Sequence, residues 1–239
     1  MRTVGLLGGM SWQSTQSYYQ LINEGVQARL GGLHSAPLLI YSFDFAEIEA
    51  LQMAGKWAAA GEMLARQAAR LEAAGAEAII LATNTMHKLA DYITEEVSVP
   101  LLHIAEATAE AILASRSRQP LLLATGFTME QDFYTGPLGA KLAEAGGAVH
   151  IPEAPRRKIV HDVIYDELCR GVISEASRTA YQQIMAAEAE EKGCDGVILG
   201  CTEIGLLISQ NDTALPVFDT TALHCQRAVD FICADHAAR

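Results

Sequence analysis

Short runs of Val, Ile and Leu alternate along the chain with longer Ala-rich stretches whose apolar positions recur every three to four residues. The short runs predict strands at Thr3–Gly8, Pro37–Phe43, Glu77–Ala82, Leu101–Ile104, Pro120–Ala124, Ala148–Ile151, Gly196–Gly200 and Val217–Phe218. The amphipathic stretches predict helices near 13–30, 57–74, 86–97, 105–115, 130–145, 157–170, 175–192 and 221–234. The strand runs are nearly continuous in apolar residues. That is the signature of parallel strands covered by helices on both faces, built from βαβ units.

By count alone these units would suit an eight-stranded α/β barrel. An internal repeat argues otherwise. Gly75–Thr85 (GAEAIILATNT) aligns without a gap to Gly193–Glu203 (GCDGVILGCTE), and Thr83 falls on Cys201. Leu6–Ser11 falls on Leu123–Thr128 at nearly the same offset, and Val99–Leu102 falls on Leu215–Phe218. The first half therefore recurs in the second, in order. The expected fold is α/β, with two pseudosymmetric domains, each a parallel sheet flanked by helices, and an active site in the interdomain cleft. The expected boundaries are 1–102 with 217–239 for the first domain and 103–216 for the second. Ligands of open parallel sheets sit beyond the carboxyl ends of the strands, where Thr83 and Cys201 stand.

Composition narrows the partners. The 239 residues carry 17 basic and 29 acidic side chains, a formal net charge of -12. Binding a duplex requires clustered Lys and Arg, and only Arg156, Arg157 and Lys158 are adjacent, so nucleic acid is not expected. A small acidic ligand remains compatible, because a site is local and net charge is not. No apolar run reaches the roughly 18 residues of a membrane span. The chain enters a strand at Thr3, which leaves no room for a leader. A cytoplasmic protein without membrane attachment is expected. The five cysteines (Cys169, Cys194, Cys201, Cys225, Cys233) are odd in number and lack C-x-x-C spacing, so reduced thiols are expected rather than disulfides or a zinc ribbon.

Cys201 is the thiol placed for chemistry. Gly200 precedes it and lets backbone approach a ligand. Thr202 and Glu203 follow at a helix start, where free N–H groups favour a thiolate or a carboxylate. Thr83, Asn84 and Thr85 leave the equivalent strand with hydroxyl, amide and N–H donors that can surround a carboxylate, although turn and cap chemistry explains the same run. Gly5–Ser11 is a Gly-rich strand-to-helix turn without a nucleotide fingerprint. The seven histidines are scattered, and none are paired at metal-ligand spacing. No lysine has a Schiff-base setting. A metal is therefore not expected, and a nucleotide is poorly supported.

Four segments carry a resemblance that spans nearly the whole chain: Gly5–Trp12, Ile80–His87, Leu199–Gly205 and Tyr165–Gly171. Together they resemble the aspartate/glutamate racemase family, and most closely its enterobacterial amino-acid racemase branch. The resemblance implies two pseudosymmetric α/β domains, no cofactor, a homodimer, and two opposed cysteines that exchange the α-proton of an amino acid. Cys201 matches the second of these. Thr83 stands where most of the family has the first, as in that branch. The resemblance further implies substrate contacts from Met10, Gln52 and Thr83 to Thr85, with Arg170 as a basic carboxylate contact.

Racemisation without pyridoxal phosphate needs two acid–base groups on opposite faces and donors around the α-carboxylate. Asn84, Thr85 and Thr202 are the expected donors. A cysteine becomes a thiolate at neutral pH if its site lowers its pKa. A threonine hydroxyl does not, so Thr83 is better suited to giving a proton than to taking one. Two other readings stay open: a related isomerase of the hydantoin racemase or maleate isomerase type, and an amino-acid-binding module without turnover. For a distal carboxylate the candidates are Arg170, Arg157 and Lys158; failing these, Gln52 becomes the recogniser and neutral amino acids the substrates.

Overall fold

The computed structural model describes residues 1–236. The chain forms two compact units, the first taking Met1–His103 and resuming at His224, the second taking Ile104–Leu223.

The first unit runs β1 (Val4–Gly8), α1 (Trp12–Leu30), β2 (Leu38–Ser42), α2 (Phe45–Met53), α3 (Trp57–Ala73), β3 (Ala78–Leu81), a 3-10 turn (Thr85–Leu89), α4 (Ala90–Glu96) and β4 (Leu101–Leu102). Its parallel sheet has the order β2-β1-β3-β4. Alternate side chains of β1 and β3 serve opposite faces. Leu7, Ile79 and Leu81 pack on Leu64, Ala68 and Leu71 of α3. Val4, Leu6, Ala78 and Ile80 pack on Tyr18, Ile22 and Val26 of α1 and on Cys225, Val229 and Ile232 near the C-terminus. That second face explains why the chain returns: without the last helix, part of it would lie open to water.

The second unit runs α5 (Ile104–Ala114), β5 (Pro120–Ala124), α6 (Gly126–Glu130), α7 (Asp132–Ala143), α8 (Ala154–Asp166), α9 (Glu175–Lys192), β6 (Gly196–Gly200), α10 (Ile204–Leu207), β7 (Val217–Asp219) and the start of α11 (Thr220–Cys233). Its sheet has the order β5-β6-β7, all parallel. Leu121 to Ala124 and Val197 to Leu199 lie in one core with Tyr134, Leu138, Val160 and Tyr181. In both units the strand bearing the candidate proton-transfer residue is central, paired on both sides.

The structure departs from the sequence expectations at four places. Strand 217–218 was expected in the first domain, but β7 pairs with β6, and the chain crosses back at His224. The repeat already contained this, because Val217 is the copy of Leu101 in β4. The run 148–151 is reduced to a single parallel bridge between His150 and Leu121, cut short by Pro152. Helix α2 was not expected: only Ile48 and Gln52 of its nine residues are buried, so no stripe shows. It starts at Asp44, whose carboxylate accepts from the Ala46 N–H at 3.1 Å. The helix expected near 130–145 begins earlier, at Gly126, and breaks at extended Gln131. Among the described residues no helix is long and apolar enough to cross a membrane.

Candidate active site

In the first unit the ladder stops at Leu81. The Ala82 N–H still donates to Leu7 at 2.9 Å, but the Thr83 N–H turns back to Leu81 at 2.8 Å, and the chain hooks into the 3-10 turn. Thr83, Asn84 and Thr85 are all buried. His87 closes the hook twice. Its backbone N–H donates to Asn84 at 3.1 Å, and its ring Nδ1 contacts the Thr83 carbonyl at 2.7 Å. Leu7 of β1 lies beside Leu81 of β3, so the turn after β1 reaches the same sheet end. Gly9 in that turn has φ +84, and a Cβ there would lie 2.2 Å from the Phe43 carbonyl oxygen, so only glycine fits. Met10 follows and is buried in one cluster with Met86.

Gln52 of α2 is buried, and its amide nitrogen donates to the Met86 sulfur at 3.0 Å. Its carbonyl oxygen is desolvated and has no hydrogen-bond partner. A buried acceptor without a donor is costly, on the order of 1–3 kcal/mol. Such an atom, beside a turn rich in donors, suits a ligand that brings an N–H group. The structure thus gathers Met10, Gln52, Thr83, Asn84 and Thr85 at one end of the first sheet.

In the second unit Cys201 follows β6 directly and is half-buried. A Cβ on Gly200 would come within 2.5 Å of Leu122 Cδ1, so the strand end packs too tightly for any side chain there. The Cys201 thiol donates to Glu203 Oε2 at 3.0 Å, and the Thr202 hydroxyl donates to the same oxygen at 2.7 Å. Glu203 is itself buried. Burial, and next the Glu203 charge, push the Cys201 thiol well above its ordinary range. This corrects the expectation that the helix start would favour a thiolate. Helix α10 has only four residues, and a carboxylate already sits against the sulfur. At rest Cys201 is a thiol paired with a carboxylate. Cys169 is also pushed up, to about 12, by burial and by the same Glu203 charge; what sets Cys201 apart is its hydrogen bond to Glu203 at the end of β6.

The basic candidates separate. Arg170 ends a 3-10 turn with its side chain largely exposed, 3.8 Å from the Asp166 carboxylate. Arg157 and Lys158 instead line a cavity of about 390 Å³ with Gly126, Phe127 and His161. His161 Nδ1 accepts the Gly126 N–H at 3.1 Å. This cavity opens just past β5, whose Ala124 lies beside Gly200, one residue before Cys201. Each cation already has an acidic neighbour: Glu130 at 3.0 Å from Arg157, and Asp162 at 2.6 Å from Lys158. Among the described residues no group of His, Cys, Asp and Glu is arranged to hold a metal.

Sequence reasoning takes Glu203 as a mere helix start, and it places His87 and His103 near the presumed cleft but as isolated, structural histidines. The available signal was the repeat, which sets Thr85 against Glu203 and so shows that a carboxylate stands two residues after Cys201 but not after Thr83.

Each copy of the duplicated parallel α/β unit ends its central strand on a polar turn, Thr83–Thr85 in one and Cys201–Glu203 in the other. The chain matches the Asp/Glu/Hydantoin racemase family over residues 7–228 and belongs to it. It is 49% identical to a Yersinia pestis protein provisionally assigned as an Asp/Glu racemase, with a TM-score of 0.88 over 97% of this chain and 99% of that one. It is 34% identical to an aspartate racemase homologue from Pyrococcus horikoshii, with a TM-score of 0.84 over 97% and 99%. It is 21% identical to the broad specificity amino-acid racemase RacX of Bacillus subtilis, over 92% of this chain and 93% of that one. The enzyme is thus an isomerase of the amino-acid racemase kind.

Proposed function

We propose that the chain racemises aspartate and glutamate without a cofactor, moving the α-proton between Cys201 on one face and Thr83 on the other. The observation that carries the reading is the Cys201–Glu203 pair: a thiol with a buried carboxylate 3.0 Å from its sulfur. In the reaction Glu203 accepts the thiol proton, and the thiolate so formed takes the α-proton of one enantiomer. The Thr83 hydroxyl then gives a proton to the opposite face, and the proton held by Glu203 passes through solvent to the Thr83 oxygen, which restores both sites; the reverse direction runs these transfers backwards. The carbanion is stabilised by donors held around the α-carboxylate, from Asn84, Thr85 and Thr202. The orphan oxygen of Gln52 accepts from the α-ammonium group, with Met10 against the substrate's apolar edge.

The substrate's distal carboxylate is assigned to Lys158 and Arg157 because they line the cavity past β5 and Arg170 does not; binding would draw both cations from their acidic neighbours. The threonine in place of a first cysteine aligns the chain with the enterobacterial branch of the family. It does not make the enzyme one-way, since free enantiomers have equal energy and their kcat/KM values must match. The same reading implies a cytoplasmic homodimer, which sedimentation of the purified protein would test.

The test is proton NMR of L-aspartate and L-glutamate in D2O with purified protein and no added cofactor, followed together with optical rotation. Loss of both the α-proton signal and rotation supports the reading. Loss of the signal with rotation retained would mean that Cys201 exchanges protons alone and that Thr83 completes nothing. Exchange with neutral amino acids or a hydantoin, and none with the acidic pair, would move the substrate to that class. Tight binding without exchange would leave a binding module.

A further inference from the structure

Three histidines of the first unit converge beside the end of β3. His87 lies in the 3-10 turn after β3, His103 follows β4, and His224 comes from α11. The rings of His87 and His103 are 4.5 Å apart, and those of His87 and His224 are 5.7 Å apart. Their partners fix two tautomers. A carbonyl oxygen only accepts, so Nδ1 of His87 carries the proton given to Thr83 at 2.7 Å. By the same argument Nε2 of His224 donates to Leu102 at 2.6 Å, which leaves its Nδ1 to accept from the Tyr18 hydroxyl at 2.8 Å. Burial, followed by the neighbouring imidazoles, holds His87 well below the ordinary range, and burial holds His224 at about 4, so both rings are neutral near pH 7.

The internal repeat shows which half uses this arrangement. Extended past Thr85, it sets His87 against Gly205, and the later match sets His103 against Asp219. In the second unit the Cys201 carbonyl is held by the backbone N–H of Ile204 at 3.1 Å. A Cβ on Gly205 would lie 3.0 Å from Asp219 Oδ2, so nothing larger than glycine fits there without displacing that carboxylate. The hook after a central strand therefore closes without an imidazole. The imidazole accompanies the hydroxyl and is absent beside the thiol.

We infer that His87 is a positioning residue for Thr83. Its Nδ1–H fixes the Thr83 carbonyl, and with it the direction in which the hydroxyl is presented, while the rings of His103 and His224 pack edge to face against the His87 ring and restrain its rotation. The chemical reason lies in the difference between the two proton carriers. A thiol can work through its charge once a carboxylate takes its proton. A hydroxyl carries no charge at rest and is a weak acid, so its contribution depends on placement, and a displacement of about 1 Å can cost on the order of a hundredfold in rate. The meaning of Thr83 here rests on the racemase reading; the tether itself does not.

The test compares His87→Phe, His87→Asn and His87→Gln. Asn places an amide N–H where Nδ1 stands, whereas Gln carries it one methylene too far. In D2O, H87F and H87Q should invert substrate about tenfold or more slowly with KM within about threefold of wild type, while exchange with retained configuration persists, and H87N should recover most of the inversion. Amide hydrogen exchange of the segment 82–90, read by mass spectrometry without substrate, should accelerate in H87F and H87Q but not in H87N. Equal behaviour of the Asn and Gln variants, or wild-type protection of 82–90 in H87F, would overturn the inference. A wild-type enzyme that exchanges no α-proton would sink the racemase reading instead, and the protection measurement would then decide the tether alone.

Discussion

Removing the charge beside Cys201 gives opposite effects on reactivity and on turnover. Glu203→Gln keeps the shape and an acceptor oxygen but deletes the carboxylate that lies 3.0 Å from the sulfur. Coulomb's law with an effective dielectric of about 20 gives roughly 5 kcal/mol between unit charges at that distance. Hydrogen bonding to the remaining amide and local relaxation return part of this. If about a quarter is realised, about 1.4 kcal/mol, the thiolate at a given pH becomes about tenfold more populated. The variant should therefore be alkylated at Cys201 by iodoacetamide about tenfold faster below the thiol pKa, as read from the Cys201 peptide across a pH series. Racemisation should nonetheless slow, by about tenfold or more, because no carboxylate remains to take the thiol proton when substrate is bound. The two results belong together. Faster alkylation with faster racemisation would show that only the thiolate matters and that Glu203 is a restraint. An unshifted alkylation profile would refute the electrostatic reasoning outright.

Three further outcomes are expected. Gly200→Ala should cost about 1–3 kcal/mol in denaturant unfolding, since its Cβ meets Leu122 at 2.5 Å and Ala124 at 3.0 Å, and should lower turnover by shifting Cys201; unchanged stability would mean that the strand end relaxes freely. Lys158→Gln should raise KM for aspartate and glutamate by about tenfold while leaving neutral amino acids unaffected, as initial rates would show; equal losses on both would remove Lys158 from distal recognition. On the acid side, His224 has its folded pKa depressed from 6.5 to about 4, so its contribution is present above pH 6.5 and is lost as pH falls toward 4. That difference is worth about 3 kcal/mol, and thermal midpoints measured between pH 7 and 4 should fall less steeply in His224→Gln than in wild type.

The chain's own pattern determined the architecture. Continuous Val, Ile and Leu runs cannot face water on either side, so parallel sheets covered by helices followed from hydrophobic burial alone. The repeat added the duplication and singled out Thr83 and Cys201, because a copied βα unit places equivalent residues at equivalent strand ends. The boundaries were less legible. The strand expected at 217–218 falls in the other unit because chain order does not reveal which sheet edge a strand joins; pairing does. Gln52 was named from resemblance, yet the helix carrying it escaped notice, since only two of its nine residues turn inward. The protonation state of Cys201 was out of reach, because it depends on the distance from a sulfur to a carboxylate two residues on, and on how much water both have lost. The histidines were invisible as a group for the same reason. Pairing of β3 with β4 brings His87 and His103 together, and only the return of α11 to the first sheet adds His224. Periodicity records which residues leave water; the contacts that set a pKa or fix a tautomer arise only when distant segments pack.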